Sequence, residues 1–149
     1  MELFEPIEEE EYKKTIEENM ANATIKLRDY QDRAIRAALK YHRGILLSCT
    51  SSGKSLMIYN IIRTLLKKGH KHLLLIVPNI MLVNQMYDDF KDYGWTDLDN
   101  YVERLGGGNE ATHDKPILIS TWQSLQNLDL DFFERYDGLI VDEVHRKQG

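Results

Sequence analysis

Four short apolar runs, separated by stretches long enough to hold helices, set the limits on how this chain can fold. Residues 44–48, 72–77, 116–120 and 138–142 are rich in leucine, isoleucine and valine. They lack the strict alternation of a sheet with one wet face, so they read as strands buried on both sides. Between the first two runs, residues 55–68 carry Leu56, Ile58, Ile61, Ile62, Leu65 and Leu66 at helical spacing and stop at Gly69. Residues 81–93 read as another helix. Asp29 is placed to cap one that reaches about Tyr41, with Ala34, Ile35, Ala38 and Leu39 on its buried stripe. Apolar strands alternating with helices of this length predict an α/β fold, a parallel sheet with helices on both faces. Ligands of such sheets collect beyond the carboxyl ends of the strands.

The first 23 residues differ from the rest. Residues 8–11 are all glutamate, and eight glutamates face two lysines among the first twenty positions, a balance of 2 − 8 = −6 that leaves +1 for the rest of a chain with net charge −5. Glu9 and Glu10 precede Lys13 and Lys14 at the spacing of helical ion pairs. With few apolar anchors beyond Ile7 and Ile16, the segment reads as a solvated acidic helix, an arm or linker at 1–23 ahead of a domain at 24–149. The lone cysteine, Cys49, excludes an internal disulfide framework. No run of apolar residues is long enough for a membrane helix, and the acidic start is wrong for a targeting segment. A cytoplasmic chain with no membrane partner is expected.

Chemistry concentrates at two places. Thr50, Ser51, Ser52, Gly53, Lys54 and Ser55 follow the first strand and open a helix. Unpaired N–H groups at a helix start, reinforced by the helix dipole, suit phosphate. Gly53 permits close backbone approach, Lys54 can reach the β and γ phosphates, and the Ser55 hydroxyl can ligate Mg²⁺. One departure is plain: the commonest form of this loop has glycine where Ser48 stands. The second place is the last strand, which delivers Asp142 and Glu143 to its carboxyl end. Adjacent carboxylates at a sheet rim are costly without a cation nearby. Asp142 therefore suits Mg²⁺ and Glu143 suits an attacking water. The five histidines show no metal-ligand spacing with Cys49.

Asp142-Glu143-Val144-His145 after such a phosphate loop resembles the signature of superfamily 2 helicases, and the likeness extends from about residue 24 to the end. Within that family the chain looks most like the UvsW-type recombination helicases of T4-like phages. The resemblance implies a three-layer RecA-like fold of the P-loop NTPase class, ATP and Mg²⁺ as cofactors, and His145 as part of the catalytic set with Lys54, Asp142 and Glu143. Residues 27–31, with Tyr30 and Gln31, resemble the segment whose glutamine reads adenine. Pro78, Asn79 and Gln85 resemble motif Ia, Gly106 and Gly107 a glycine turn, and Thr121 and Gln123 a threonine-bearing motif; in the family these contact nucleic acid. DNA is favoured over RNA as the partner, and the compartment becomes a host cytoplasm if the chain is phage-encoded.

The resemblance also implies a second RecA-like lobe, in cis or in trans, that closes the ATP cleft. The chain ends four residues after His145, so a truncated first lobe is expected, with its late strand as an exposed edge and little activity in isolation. Two other readings stay open at this point. One is a non-catalytic nucleotide- or nucleic-acid-binding module, or a split-gene subunit completed by a partner. The other is a different phosphate-loop enzyme such as a small-molecule kinase. For the glycine turn, Thr121 and Trp122, simpler roles as loop, helix cap and core residue stand beside the functional ones.

Overall fold

The computed structural model describes residues 7–40, 45–47, 53–106, 108, 114–126 and 128–142. Thr50, Ser51, Ser52, Gly107, Glu143 and His145, all expected above to act at a site, lie outside the described residues. The elements run α1 (Glu9–Asn19), α2 (Asp29–Lys40), β1 (Ile45–Leu47), α3 (Lys54–Lys67), β2 (Leu73–Val77), α4 (Ile80–Asp92), α5 (Leu98–Tyr101), β3 (Val102–Arg104), β4 (Ile117–Thr121), α6 (Trp122–Leu125), α7 (Leu130–Glu134) and β5 (Gly138–Asp142). Asp29 lies inside the first turn of α2 rather than capping it.

All five strands are parallel and stand in the order β1-β5-β2-β4-β3. The expectation that the late strand forms an edge is therefore wrong. Strand β5 is inserted between β1 and β2, with Ile140 opposite both Ile45 and Leu75. Chain order does not fix spatial order when each crossover can skip a neighbour. The central position of β5 matters for function, because it brings Asp142 level with Leu47, the last residue of β1.

Side chains alternate across the sheet and build two cores. Leu73, Leu75, Val77, Val102, Ile117, Ile119 and Ile140 face a large cluster that α1 to α4 complete with Tyr12, Ile35, Ile58, Tyr59, Ile62 and Phe90. Leu74, Ile76 and Leu118 face the other way, onto Leu125 of α6 and Phe132 of α7. Each such large apolar side chain stabilises by roughly 1.5–3 kcal/mol when fully buried. Helices cover both faces, as the apolar strands required, but unequally.

The acidic segment is not a solvated arm. Helix α1 packs against α3, and Tyr12 is 2% exposed within the large core. Its buried stripe is Tyr12, Thr15 and Asn19, a mostly polar set in which the Tyr12 hydroxyl and the Asn19 amide nitrogen find partners. The Tyr12 hydroxyl donates to Asp32 at 2.7 Å, and the Asn19 side chain donates to Asn60 at 3.3 Å and Thr64 at 3.4 Å. Arg36 pairs with Glu9 and Asp32 and lies 4.2 Å over the Tyr12 ring. Buried and hydrogen-bonded to Asp32, the Tyr12 phenol is held well above its ordinary range. No described helix is long and apolar enough to cross a membrane.

Candidate nucleotide and nucleic-acid site

The carboxyl rim of the sheet gathers the first group of residues. Gly53 precedes α3 with φ +93°, a left-handed conformation that glycine adopts without steric cost. A Cβ at that position would collide with the Gln31 amide nitrogen. That nitrogen donates to the Gly53 carbonyl at 3.1 Å, while the Gln31 amide oxygen accepts from the Arg28 N–H at 2.8 Å. Gln31 is thus clamped between the entry to α2 and the phosphate loop. Among the described residues these two bonds engage one lone pair and one N–H of its amide, which has a second of each.

Lys54, the first residue of α3, extends across the rim to the end of β5. Its Nζ stands 2.5 Å from Asp142 Oδ1, with both residues buried. Neither atom makes a hydrogen bond to another partner among the described residues. A buried ammonium normally uses three donors and a buried carboxylate several acceptor positions, so the pair retains capacity that the protein does not fill. Such unsatisfied polar atoms suit a ligand bearing both anionic oxygens and a hard cation.

Ser55 follows in the first turn of α3. Its hydroxyl shares a hydrogen bond of 2.6 Å with the hydroxyl of Tyr93, the residue that caps the far end of α4. Burial pushes the Tyr93 phenol above its ordinary range, and the bond to Ser55 opposes that shift only in part. Tyr93 carries no motif and was missed in the sequence. Together with Lys26, Arg28, Tyr30, Gln31 and Gly53 it lines a cleft of about 470 Å³ beside the loop. That volume lies within the usual range for small-molecule pockets. Among the described residues, no group of three or more His, Cys, Asp or Glu side chains could hold a metal. Ser55 and Asp142 offer the oxygen ligands that a hard cation such as Mg²⁺ would take.

The second group lies on the same rim, one strand pair away. Val77 and Thr121 are paired at the ends of β2 and β4, which places Pro78 and Asn79 beside Thr121 to Gln123. Gly106 is wedged in the same place, since a Cβ on it would meet Ser124 Oγ and Ile80 Cδ1. The side chains of this group are partly engaged in local structure. Asn79 Oδ1 accepts from the Leu82 N–H at 2.9 Å, Thr121 Oγ1 accepts from the Ser124 N–H at 3.1 Å, and Gln85 donates to Asp89 at 2.9 Å. Asn79 and Thr121 are therefore helix caps, and Gln123 is exposed on this rim. Trp122 is no core residue: it is 53% exposed on this rim.

Comparison with known proteins decides the family. The family described as "Type III restriction enzyme, res subunit" (ResIII) matches residues 24–149. The chain belongs to the ResIII family. This ResIII chain is 31% identical to the ATP-dependent DNA helicase uvsW of Enterobacteria phage T4 over 144 residues, 94% of this chain and 28% of that protein. It is 33% identical to the DNA 3'-5' translocase XPB2 of Sulfurisphaera tokodaii over 121 residues, 81% of this chain and 25% of the relative. A crystal structure of the UvsW helicase from bacteriophage T4 superposes with a TM-score of 0.75 at 27% identity, covering 93% of this chain and 51% of that one. A second T4 UvsW structure gives 0.78 at 28% identity, covering 93% and 29%. The superfamily 2 resemblance and the RecA-like fold are thereby borne out. The ResIII chain spans about a quarter of the length of the two relatives it matches in sequence.

Proposed function

We propose that this chain is the ATP-binding part of the first motor lobe of an ATP-dependent DNA helicase or translocase. The observation that carries the reading is the Lys54–Asp142 pair, 2.5 Å apart and buried at the rim beside left-handed Gly53. Lys54 neutralises phosphate charge, and its pairing with Asp142 keeps the ammonium in place before nucleotide arrives. The remaining lone pair and N–H of the Gln31 amide face the adenine, and Lys26 and Arg28 in the same cleft add positive charge. Asp142 and Ser55 would hold Mg²⁺, which would offset the charge developing on the phosphate oxygens. Glu143 orients the attacking water, and His145 completes the set.

Pro78, Asn79, Gln85, Gly106, Gly107, Thr121 and Gln123 contact nucleic acid, with DNA as the partner in view of the names of both relatives. A second RecA-like lobe, in cis or in trans, supplies the facing wall of the cleft. The 149-residue chain alone accordingly binds nucleotide weakly and hydrolyses it slowly.

Equilibrium binding of a fluorescent ATP analogue with Mg²⁺ tests this reading. Lys54→Ala is expected to weaken binding at least about tenfold, the loss of a charge-assisted phosphate contact. Equal affinity in the wild-type chain and the variant would remove the basis for the reading.

A further inference from the structure

The hydroxyl of Ser55 is not free to take any rotamer, because Tyr93 holds it. The geometry points to Tyr93 as a positioning residue for the cation that accompanies nucleotide, acting through Ser55; the inference rests on the nucleotide-site reading above. Three observations carry it. The Ser55–Tyr93 hydroxyl contact is 2.6 Å, at the short end for two hydroxyls. Tyr93 also lines the cleft that contains Gln31 and Gly53. Finally, Tyr93 is itself fixed from several sides. Its backbone N–H donates to the Asp89 carbonyl at 2.9 Å. Its ring meets Tyr59 edge-on at 5.3 Å, and its carbonyl accepts from the Tyr59 hydroxyl at 3.3 Å. Tyr59 is fully buried and also donates to the Asn19 carbonyl at 2.7 Å, so the support extends back to α1.

The bond is compatible with metal ligation in either sense of donation. If Ser55 donates to Tyr93, both Ser55 lone pairs remain; if Tyr93 donates, one remains. A cation can therefore bind without breaking the contact, and the contact selects the rotamer in which it binds. When Ser55 is the donor, its oxygen also gains electron density, as outer partners of ligating groups commonly arrange.

The test measures affinity for a fluorescent ATP analogue as a function of Mg²⁺, in the full chain, for wild type, Tyr93→Phe, Ser55→Ala and the double variant. Tyr93→Phe keeps the ring on Tyr59 and removes only the hydroxyl. It is expected to reduce the Mg²⁺-dependent gain in affinity, taken relative to the same variant's own binding in EDTA, about three- to tenfold. In the Ser55→Ala background it should have no further effect, the signature of coupled residues. Additive losses, a tighter Mg²⁺ response in Tyr93→Phe, or no change beside a wild type that binds each overturn this inference alone. A wild-type chain with no Mg²⁺-dependent nucleotide binding overturns the nucleotide-site reading and this inference with it.

Discussion

Two aspartates bracket β5, Asp137 just before its first residue and Asp142 as its last, and their surroundings are opposite. Asp137 is half-exposed, its side chain 46% accessible, yet well supplied with donors. It accepts from the Lys71 N–H at 3.0 Å and the His72 N–H at 3.3 Å, and His70 Nδ1 lies 3.3 Å away. Asp142 is 4% exposed, and its Oδ1 faces Lys54 but has no hydrogen bond among the described residues. A carboxylate placed for stability is satisfied by the protein; one placed for ligand is buried and left with capacity. The amino rim of this sheet closes a turn, and the carboxyl rim waits for a partner.

The largest effect expected from this contrast is at Asp142. Replacing it with leucine leaves the Lys54 ammonium buried without a counter-charge, at a cost of about 3–5 kcal/mol in urea unfolding. The double variant Lys54→Met with Asp142→Leu should regain wild-type stability or exceed it, because an apolar pair carries no desolvation penalty. Both variants should lose nucleotide binding. A single variant as stable as wild type would mean that the pair is solvated, and the contrast with Asp137 would collapse.

An intermediate effect is expected at Gly53, where the carboxyl rim is shaped by backbone rather than charge. Alanine there must adopt φ +93° and push the Gln31 amide off the Gly53 carbonyl. The expected cost is about 1–3 kcal/mol, with weakened nucleotide binding. Gln31→Ala should lower nucleotide affinity in the same direction. If Gly53→Ala binds nucleotide as wild type does, the left-handed turn is a structural accident rather than part of a phosphate cradle.

Much of this rim was legible in the sequence because its chemistry is local. Gly53-Lys54-Ser55 between strand and helix, and Asp142 at the end of an apolar run, each declare their place through neighbours in the chain. What was not legible depends on contacts far apart in sequence. Tyr12 directly follows a glutamate run, and its burial rests on Asp32 and Arg36. Asn19 is buried because Asn60 and Thr64 lie on the facing helix. Hydropathy cannot register such a polar stripe. Strand β3 carries Glu103 and Arg104 in three residues, too short and too charged to signal itself. Tyr93 acquires a role only because the end of α4 reaches the start of α3.

The smallest effect is at Asp137, and its sign separates it from Asp142. Burial alone would raise the Asp137 carboxyl, but the Lys71 N–H, His70 and the His72 N–H together hold it below the ordinary aspartate range. A carboxylate depressed in the folded state stabilises fully above its unfolded pKa, and that contribution is lost as pH falls through the folded value. Asp137→Asn should therefore cost less than about 1 kcal/mol near neutrality, since the group is half-exposed and screened. The difference between wild type and variant should shrink below about pH 4, where an unfolded aspartate begins to protonate. Urea unfolding at a series of pH values measures it. A gap that stays constant into acid would mean that the carboxylate charge contributes nothing and that only the shape of the turn matters. Nucleotide affinity should be unchanged in Asp137→Asn, because the site lies at the other end of β5. A loss there would show that the two rims are coupled through the strand, and Asp137 could no longer be assigned to stability alone.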